Sequence, residues 1–221
     1  MIKDPIIELS HKIIPGKENF KVEVNTDDVT KFFPDISHAE EVWYVIGEIN
    51  MSTHVGTHIE FPFHHKKDGL DAYDYPLDRL IGEAVVLDFS YKLNNESITL
   101  KDLKTNSNRI KKGDIIFFRT DRDKYFHTEE WRGTPYLCKE AAIWLVSEFE
   151  PKVIGSDSWD IEDPNYDNQP VHTCLFQNNI AMIESATNLA AIRNNRVNVI
   201  VLPLAIKNMD ACPVRIIAFP I

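Results

Sequence analysis

With 221 residues, 24 Lys+Arg against 34 Asp+Glu and a formal net charge of −10, the chain is a poor fit for nucleic acid or an anionic membrane surface, because affinity for either is built from Lys and Arg that displace counterions. The length and a hydrophobic content of 43% let such a chain bury about 70% of its unfolded surface without help from a metal or disulfide, and with Gly and Pro dispersed and no repeat, a single domain over residues 1–221 is expected. The longest apolar stretch, 199–206, is under half of the ~20 residues a bilayer span requires, and Met1-Ile-Lys-Asp-Pro5 has no apolar leader core, so a cytoplasmic location and a small-molecule partner are expected.

The first strongly patterned segment is Met51-Ser-Thr-His-Val-Gly-Thr-His-Ile-Glu-Phe-Pro-Phe-His-His65, which holds four of the eight His. His54, His58, Glu60 and His64 occupy even positions, while Val55, Thr57, Ile59, Phe61 and Phe63 occupy odd ones. That period of two gives an extended chain one ligand-bearing face and one packing face. A helix would split the polar set and place Gly56 and Pro62 in its interior. Full extension at ~3.3 Å per residue would carry the set beyond the reach of one ion, so the segment must bend, with Gly56 as the hinge and Pro62 closing the strand. Two imidazoles and a carboxylate leave coordination positions open, the pattern of catalytic Zn²⁺, or of Mn²⁺ where oxygen ligands dominate. A row of surface His on an edge strand is the competing reading. His65 has the packing parity and opens a charged turn; it and the isolated His11, His38 and His127 read as solvated or hydrogen-bonded His. Trp43, Phe61 and Phe63 read as core residues, with an aromatic-binding pocket as the alternative.

Further along, β-branched and aromatic runs at 85–89, 114–118, 152–155, 197–202 and 214–219, bounded by Gly, Asp or Pro, read as strands. Thr99-Leu-Lys-Asp102 has a reciprocal capping pattern that starts a short helix near Leu100, ending before Gly113. Between 138 and 149, Ala141, Ala142, Leu145, Val146 and Phe149 form one apolar stripe of helical period that Pro151 stops. This alternation predicts an α/β protein with a mixed β-sheet. Cys138, Cys174 and Cys212 are odd in number and far apart, which argues for buried free thiols. Glu184 ends the apolar run 180–183, so a carboxylate is carried to the tip of a buried strand and needs a partner; either it joins His172 and the first cluster in one site, or the two form a core-edge ion pair.

The run His54-x-Gly-Thr-His58-x-Glu60-x-Pro62-x-His64 resembles the H-x-G-T-H-x-D-x-P-x-H signature of the metal-dependent cyclase family, which includes bacterial kynurenine formamidase and isatin hydrolase. Pro76-Leu-Asp-Arg-Leu-Ile-Gly82, Lys112-Gly-Asp-Ile115, Gly155-Ser-Asp-Ser-Trp-Asp160, Ile183-Glu-Ser-Ala-Thr-Asn-Leu189 and Pro213-Val-Arg-Ile216 are similar to family segments in the family's order, so the resemblance covers most of the chain. It implies a swivelling β/β/α fold, a homodimer or higher homo-oligomer, and a hydrolase using one or two Zn²⁺ or Mn²⁺ ions to open an aryl-formamide or cyclic amide, as in tryptophan catabolism, with metal-activated water as nucleophile. Carried over residue by residue, His54, His58 and Glu60 are metal ligands, His172 and Glu184 complete the site or hold a second ion, and His64, or Glu184, handles the proton. Glu60 stands where the common pattern has Asp; one extra methylene shifts the carboxylate enough to change one-oxygen to two-oxygen ligation or to alter bridging. A lactone hydrolase, a ring-closing cyclase of secondary metabolism and a non-catalytic metal-binding protein are the alternatives. Asp157 and Asp160 read either as groups orienting ligand imidazoles or as solvated turn carboxylates. No G-x-S-x-G elbow supports a serine hydrolase.

Overall fold

The computed structural model describes residues 6–221; the opening segment 1–5, on which the expectation of no leader was based, lies outside them. Its elements begin with β1 (Ile7–Glu8), β2 (Val22–Asp28), β3 (Val45–Met51), β4 (His58–Glu60), β5 (Ile81–Asp88) and β6 (Ser97–Ile98). They continue through α1 (Leu100–Asn106), β7 (Ile115–Arg119), β8 (Tyr136–Leu137), α2 (Lys139–Phe149) and β9 (Val153–Ser156). The last are α3 (Pro170–Gln177), β10 (Ala181–Glu184), β11 (Arg196–Leu202), β12 (Ala211–Pro213) and β13 (Arg215–Phe219). No described helix is long and apolar enough to cross a membrane.

Nine strands form one mixed sheet in the order β1-β13-β11-β5-β7-β9-β10-β4-β12. Its middle, β5 to β10, is parallel, and both flanks are antiparallel. The parallel strands β7, β9 and β10 are buried on both faces, which is why they read as continuous apolar runs rather than alternating ones. In β7, Ile115 and Phe117 enter one core with Ile59, Phe61 and Ile183. Ile116 and Phe118 enter a second core with Ala141, Ala142 and Leu145 of α2 and Val171, Leu175 and Phe176 of α3. The α/β class and mixed sheet are those expected from the alternation. The helix starts also agree: Thr99 and Asp102 form the reciprocal cap, and α1 passes into a 3-10 turn at 107–109 before Gly113.

The segment 51–65 bends as expected: beyond Met51 at the end of β3, it pairs again at His58–Glu60 and then forms a 3-10 turn at Pro62–His64. Two expectations fail. Trp43 is neither core nor pocket; it is 84% exposed on the loop joining β2 and β3. Of the cysteines only Cys212 is buried, Cys138 and Cys174 being half-buried, although all three are free. Among the described residues, β2 and β3 pair only with each other. Their Val22, Val24, Ile49 and Met51 share one face of this ribbon and Glu23, Asn25, Glu48 and Asn50 the other, a pattern that short-range periodicity in a weakly apolar stretch did not reveal.

Candidate metal centre

β4 is held between β10 and β12, and the register sets Glu184 opposite His58 and Met182 opposite Glu60. This pairing joins the two polar clusters that are far apart in sequence. His58 and Glu60 alternate with the fully buried Ile59 and Phe61, so they project together on the side away from that core. Gly56 makes the expected bend with φ +60, and a Cβ there would meet Ile13 Cγ1 at 2.9 Å, so both the left-handed backbone and the close approach require glycine. Next to it, the Thr57 hydroxyl donates to the Ser185 carbonyl and accepts from the His11 amide, tying the bend to the end of β10. The bend swings His54 back over β4.

Glu60 is the centre of the cluster. Its Oε1 lies 2.9 Å from His54 Nδ1 and 3.5 Å from His58 Nε2, while Oε2 lies 3.6 Å from His172 Nε2. Glu184 closes the ring at 3.5 Å from His58 Nε2 and 3.9 Å from His172 Nε2. Two triads, His54/His58/Glu60 and Glu60/His172/Glu184, therefore share one carboxylate, and each has its donor atoms within 4.8 Å of one another. Glu60, His58, His172 and Glu184 are 3–9% exposed, yet His58 Nε2 and Glu60 Oε2 have no hydrogen-bond partner among the described residues. Unpaired buried polar atoms of this kind are costly, and a cation between the triads would satisfy both.

The outward nitrogen of each ligand-type imidazole is anchored, which fixes its tautomer and its aim. His58 Nδ1 donates to the Gly56 carbonyl at 3.0 Å, and His172 Nδ1 to Glu162 Oε2 at 2.8 Å. Glu162 also accepts the backbone N–H groups of Val171 and His172, holding the start of α3 and the ring together. His54 Nε2 donates to Asp210 Oδ2 at 3.0 Å. The same oxygen accepts from His64 Nδ1 at 3.0 Å, and the Thr53 hydroxyl donates to Oδ1. Asp210 is set at the entry to β12, where its carbonyl accepts from the Phe61 amide. Glu162 and Asp210 were not identified from the sequence, because an isolated acid in a loop carries no signal of what packs across from it. Asp160 lines the cavity, whereas Asp157 is buried and accepts from the Thr120 amide and hydroxyl and the Asp121 amide. His65, expected to be a solvated turn residue, is exposed but stacks on His172 with ring centroids 5.1 Å apart. His38 pairs with Asp28 in the β2–β3 region.

The electrostatics are those of an anionic hole. Burial raises Glu184 well above the carboxylate range, helped by the charges of Glu60 and Asp160. Burial opposes protonation of His54 and His172, but hydrogen bonds to Asp210 and Glu60 hold His54 up at about 9, and Glu162 with Asp160 raises His172. For Glu60, burial is outweighed by His54 at 2.9 Å and by the nearby imidazoles of His58 and His172, which keep the carboxylate ionised. Three groups are thus pushed toward binding a proton, and a divalent cation would relieve the same negative potential.

The cluster forms the floor of a cavity of about 300 Å³ whose walls include Phe20, Phe126, Trp131 and Trp159. These aromatics, rather than Phe61 or Trp43, face the site; Phe61 is core. A larger groove of about 850 Å³ between α2 and α3 holds Cys174 but none of the clustered His or Glu residues, and the chemistry places the site in the smaller cavity.

Helices cover one face of a mixed sheet, and a five-residue His/Glu cluster that could hold a cation sits at the meeting of β4, β10 and α3. The chain belongs to the cyclase family, whose model matches residues 7–163. It is 30% identical over 177 residues to the kynurenine formamidase of Bacillus cytotoxicus, covering 80% of each chain, and 31% identical to that of Erythrobacter litoralis, covering 75% of this chain and 73% of that one. The fold is similar to that of isatin hydrolase A from Labrenzia aggregata, with a TM-score of 0.79 at 22% identity, covering 98% of this chain and 93% of that one.

Proposed function

We propose that the chain is a divalent-metal-dependent hydrolase of a small aryl-formamide or cyclic amide, with His54, His58, Glu60, His172 and Glu184 holding one or two Zn²⁺ or Mn²⁺ ions. The observation that carries this reading is Glu60 between two triads, with its Oε2 and the facing His58 Nε2 buried and unpartnered. The relatives named kynurenine formamidase support the formamide reading, and the structural neighbour named isatin hydrolase supports the cyclic amide. A divalent ion so held supplies a water that ionises near neutral pH and a Lewis acid for the scissile carbonyl.

The chain's own residues do the rest. His64 donates Nδ1–H to Asp210, which leaves Nε2 with a lone pair to take the proton of the attacking water. The water oxygen bonds to the carbonyl carbon, the C–N bond breaks, and the proton carried by His64 passes to the leaving nitrogen. Glu184, which burial and the charges of Glu60 and Asp160 push upward where no cation offsets them, is the alternative acceptor for that proton. The aromatic walls exclude water and seat the ring. The exposed apolar face of the β2–β3 ribbon, with Val24 50% and Ile49 66% exposed, supports a homo-oligomer.

The test is hydrolysis of N-formylkynurenine by protein stripped with chelator and then restored with Zn²⁺ or Mn²⁺. Turnover that disappears on stripping and returns with metal is expected. No turnover with either metal would overturn the formamidase reading, and isatin, cyclic imides and lactones would then be compared.

A further inference from the structure

One wall of the cavity carries a charged group that the chemistry above does not use. Glu18 lines it, yet its side chain is only 4% exposed. Its position is fixed locally: the turn closed by Lys17 N–H donating to the Ile14 carbonyl places Glu18 Oε1 to accept from the Ile14 amide at 2.8 Å. The same oxygen lies 3.1 Å from His127 Nε2 without hydrogen-bond geometry. Beside it, Phe126 is stacked against His11, with centroids 3.8 Å apart, and lies tilted by 34° against His127 at 4.0 Å. Trp131 Nε1 on this wall is buried without a partner among the described residues. Two residues on, Phe20 stacks with Trp159 at 5.9 Å across the mouth. Among the described residues, no Lys or Arg lines the cavity.

We propose that Glu18 selects the substrate: it receives an ammonium group carried on the aromatic ring, and it disfavours ligands that bring a carboxylate to that wall. A buried carboxylate in a low-dielectric wall is stabilised by a cation with N–H donors, and the substrate is the source of that cation here. A carboxylate brought to the same place meets a like charge with no Lys or Arg on the lining to offset it, which costs affinity. Trp131 Nε1 adds one uncharged donor, able to hold a carbonyl next to the ammonium. The inference names the substrate class of the hydrolase proposed above and rests on that reading for the reaction, though not for the binding preference.

The experiment compares three formanilides that differ only at the ring 3-position, bearing aminomethyl, methyl or carboxyl, on the Zn²⁺-loaded native protein and its Glu18→Gln variant. Gln retains the acceptor for the Ile14 amide and removes the charge. Both kcat/KM and binding, read by quenching of tryptophan fluorescence, are measured. The aminomethyl compound is expected to exceed the carboxyl compound by about 30-fold on the native protein, and the ratio to fall to about threefold or less in Glu18→Gln. Equal values on the native protein, a ratio unchanged in the variant, or no binding of the aminomethyl compound would each overturn the proposal. Ammonium-selective binding without hydrolysis of any of the three would support Glu18 and count against the hydrolase reading, while hydrolysis without selectivity would do the reverse.

Discussion

The floor and the rim of the cavity are built on different principles. His58, Glu60, His172 and Glu184 sit on paired strands and the first turn of a helix and are 3–9% exposed, whereas the side chains of His54, His64 and Asp210 are 20–33% exposed and lie on a bend, a 3-10 turn and a strand entry. Ligands on hydrogen-bonded elements with anchored outer nitrogens hold an ion's geometry without reorganising. Groups on turns at the rim are close to water and substrate, where protons must enter and leave. The difference teaches that one carboxylate type serves two purposes: Glu162 on the floor aims a ligand, while Asp210 at the rim couples a ligand-type imidazole to the proton-transfer His.

The sharpest way to break the comparison is at the floor. His58→Ala removes an imidazole shared by both sides of the cluster, and we expect loss of stoichiometric Zn²⁺ binding together with a fall in turnover of about 10³-fold or more, read by metal analysis and kcat. A fully active His58→Ala protein would refute the centre as described. The two orienting carboxylates should then separate. Glu162→Gln is expected to weaken Zn²⁺ affinity by about 10–100-fold, measured by chelator competition. Asp210→Asn should leave the metal content nearer native and lower kcat by about 100-fold, because its loss misdirects His64. If the two variants behaved alike, the division between floor and rim would fail.

Smaller effects test the scaffold. Gly56→Ala puts a Cβ at 2.9 Å from Ile13 Cγ1 on a backbone with φ +60, and about 2 kcal/mol of stability should be lost in denaturant titration. The smallest effect belongs to His11, away from the metal-type ligands. Burial lowers it from 6.5 to about 4, against the charges of Asp123 and Glu18. The unfolded chain therefore binds the extra proton between pH 6.5 and 4; this contribution to stability is complete above that window and is lost as pH falls through it. His11→Gln should flatten the dependence of Tm on pH within that window, and an unchanged slope would show that His11 is not buried neutral.

Much of the centre was legible because its information is local. The period of two and the motif spacing named His54, His58, Glu60 and His64, and the need for a bend put Gly56 where the backbone turns left-handed. The apolar run 180–183 showed that Glu184 ends a buried strand, and the helical stripe of 138–149 matched α2. The period of two did not by itself mark where the segment leaves the sheet, because parity continues through residues that turns, not strands, bring together. Tertiary structure alone decided that Glu184 stands across from His58, since a pairing register between distant strands is set by the cores on both faces of the sheet. It also decided which acids matter. Asp210, Glu162 and Glu18 are ordinary carboxylates in sequence, and their roles come from the imidazoles and walls that long-range packing sets opposite them.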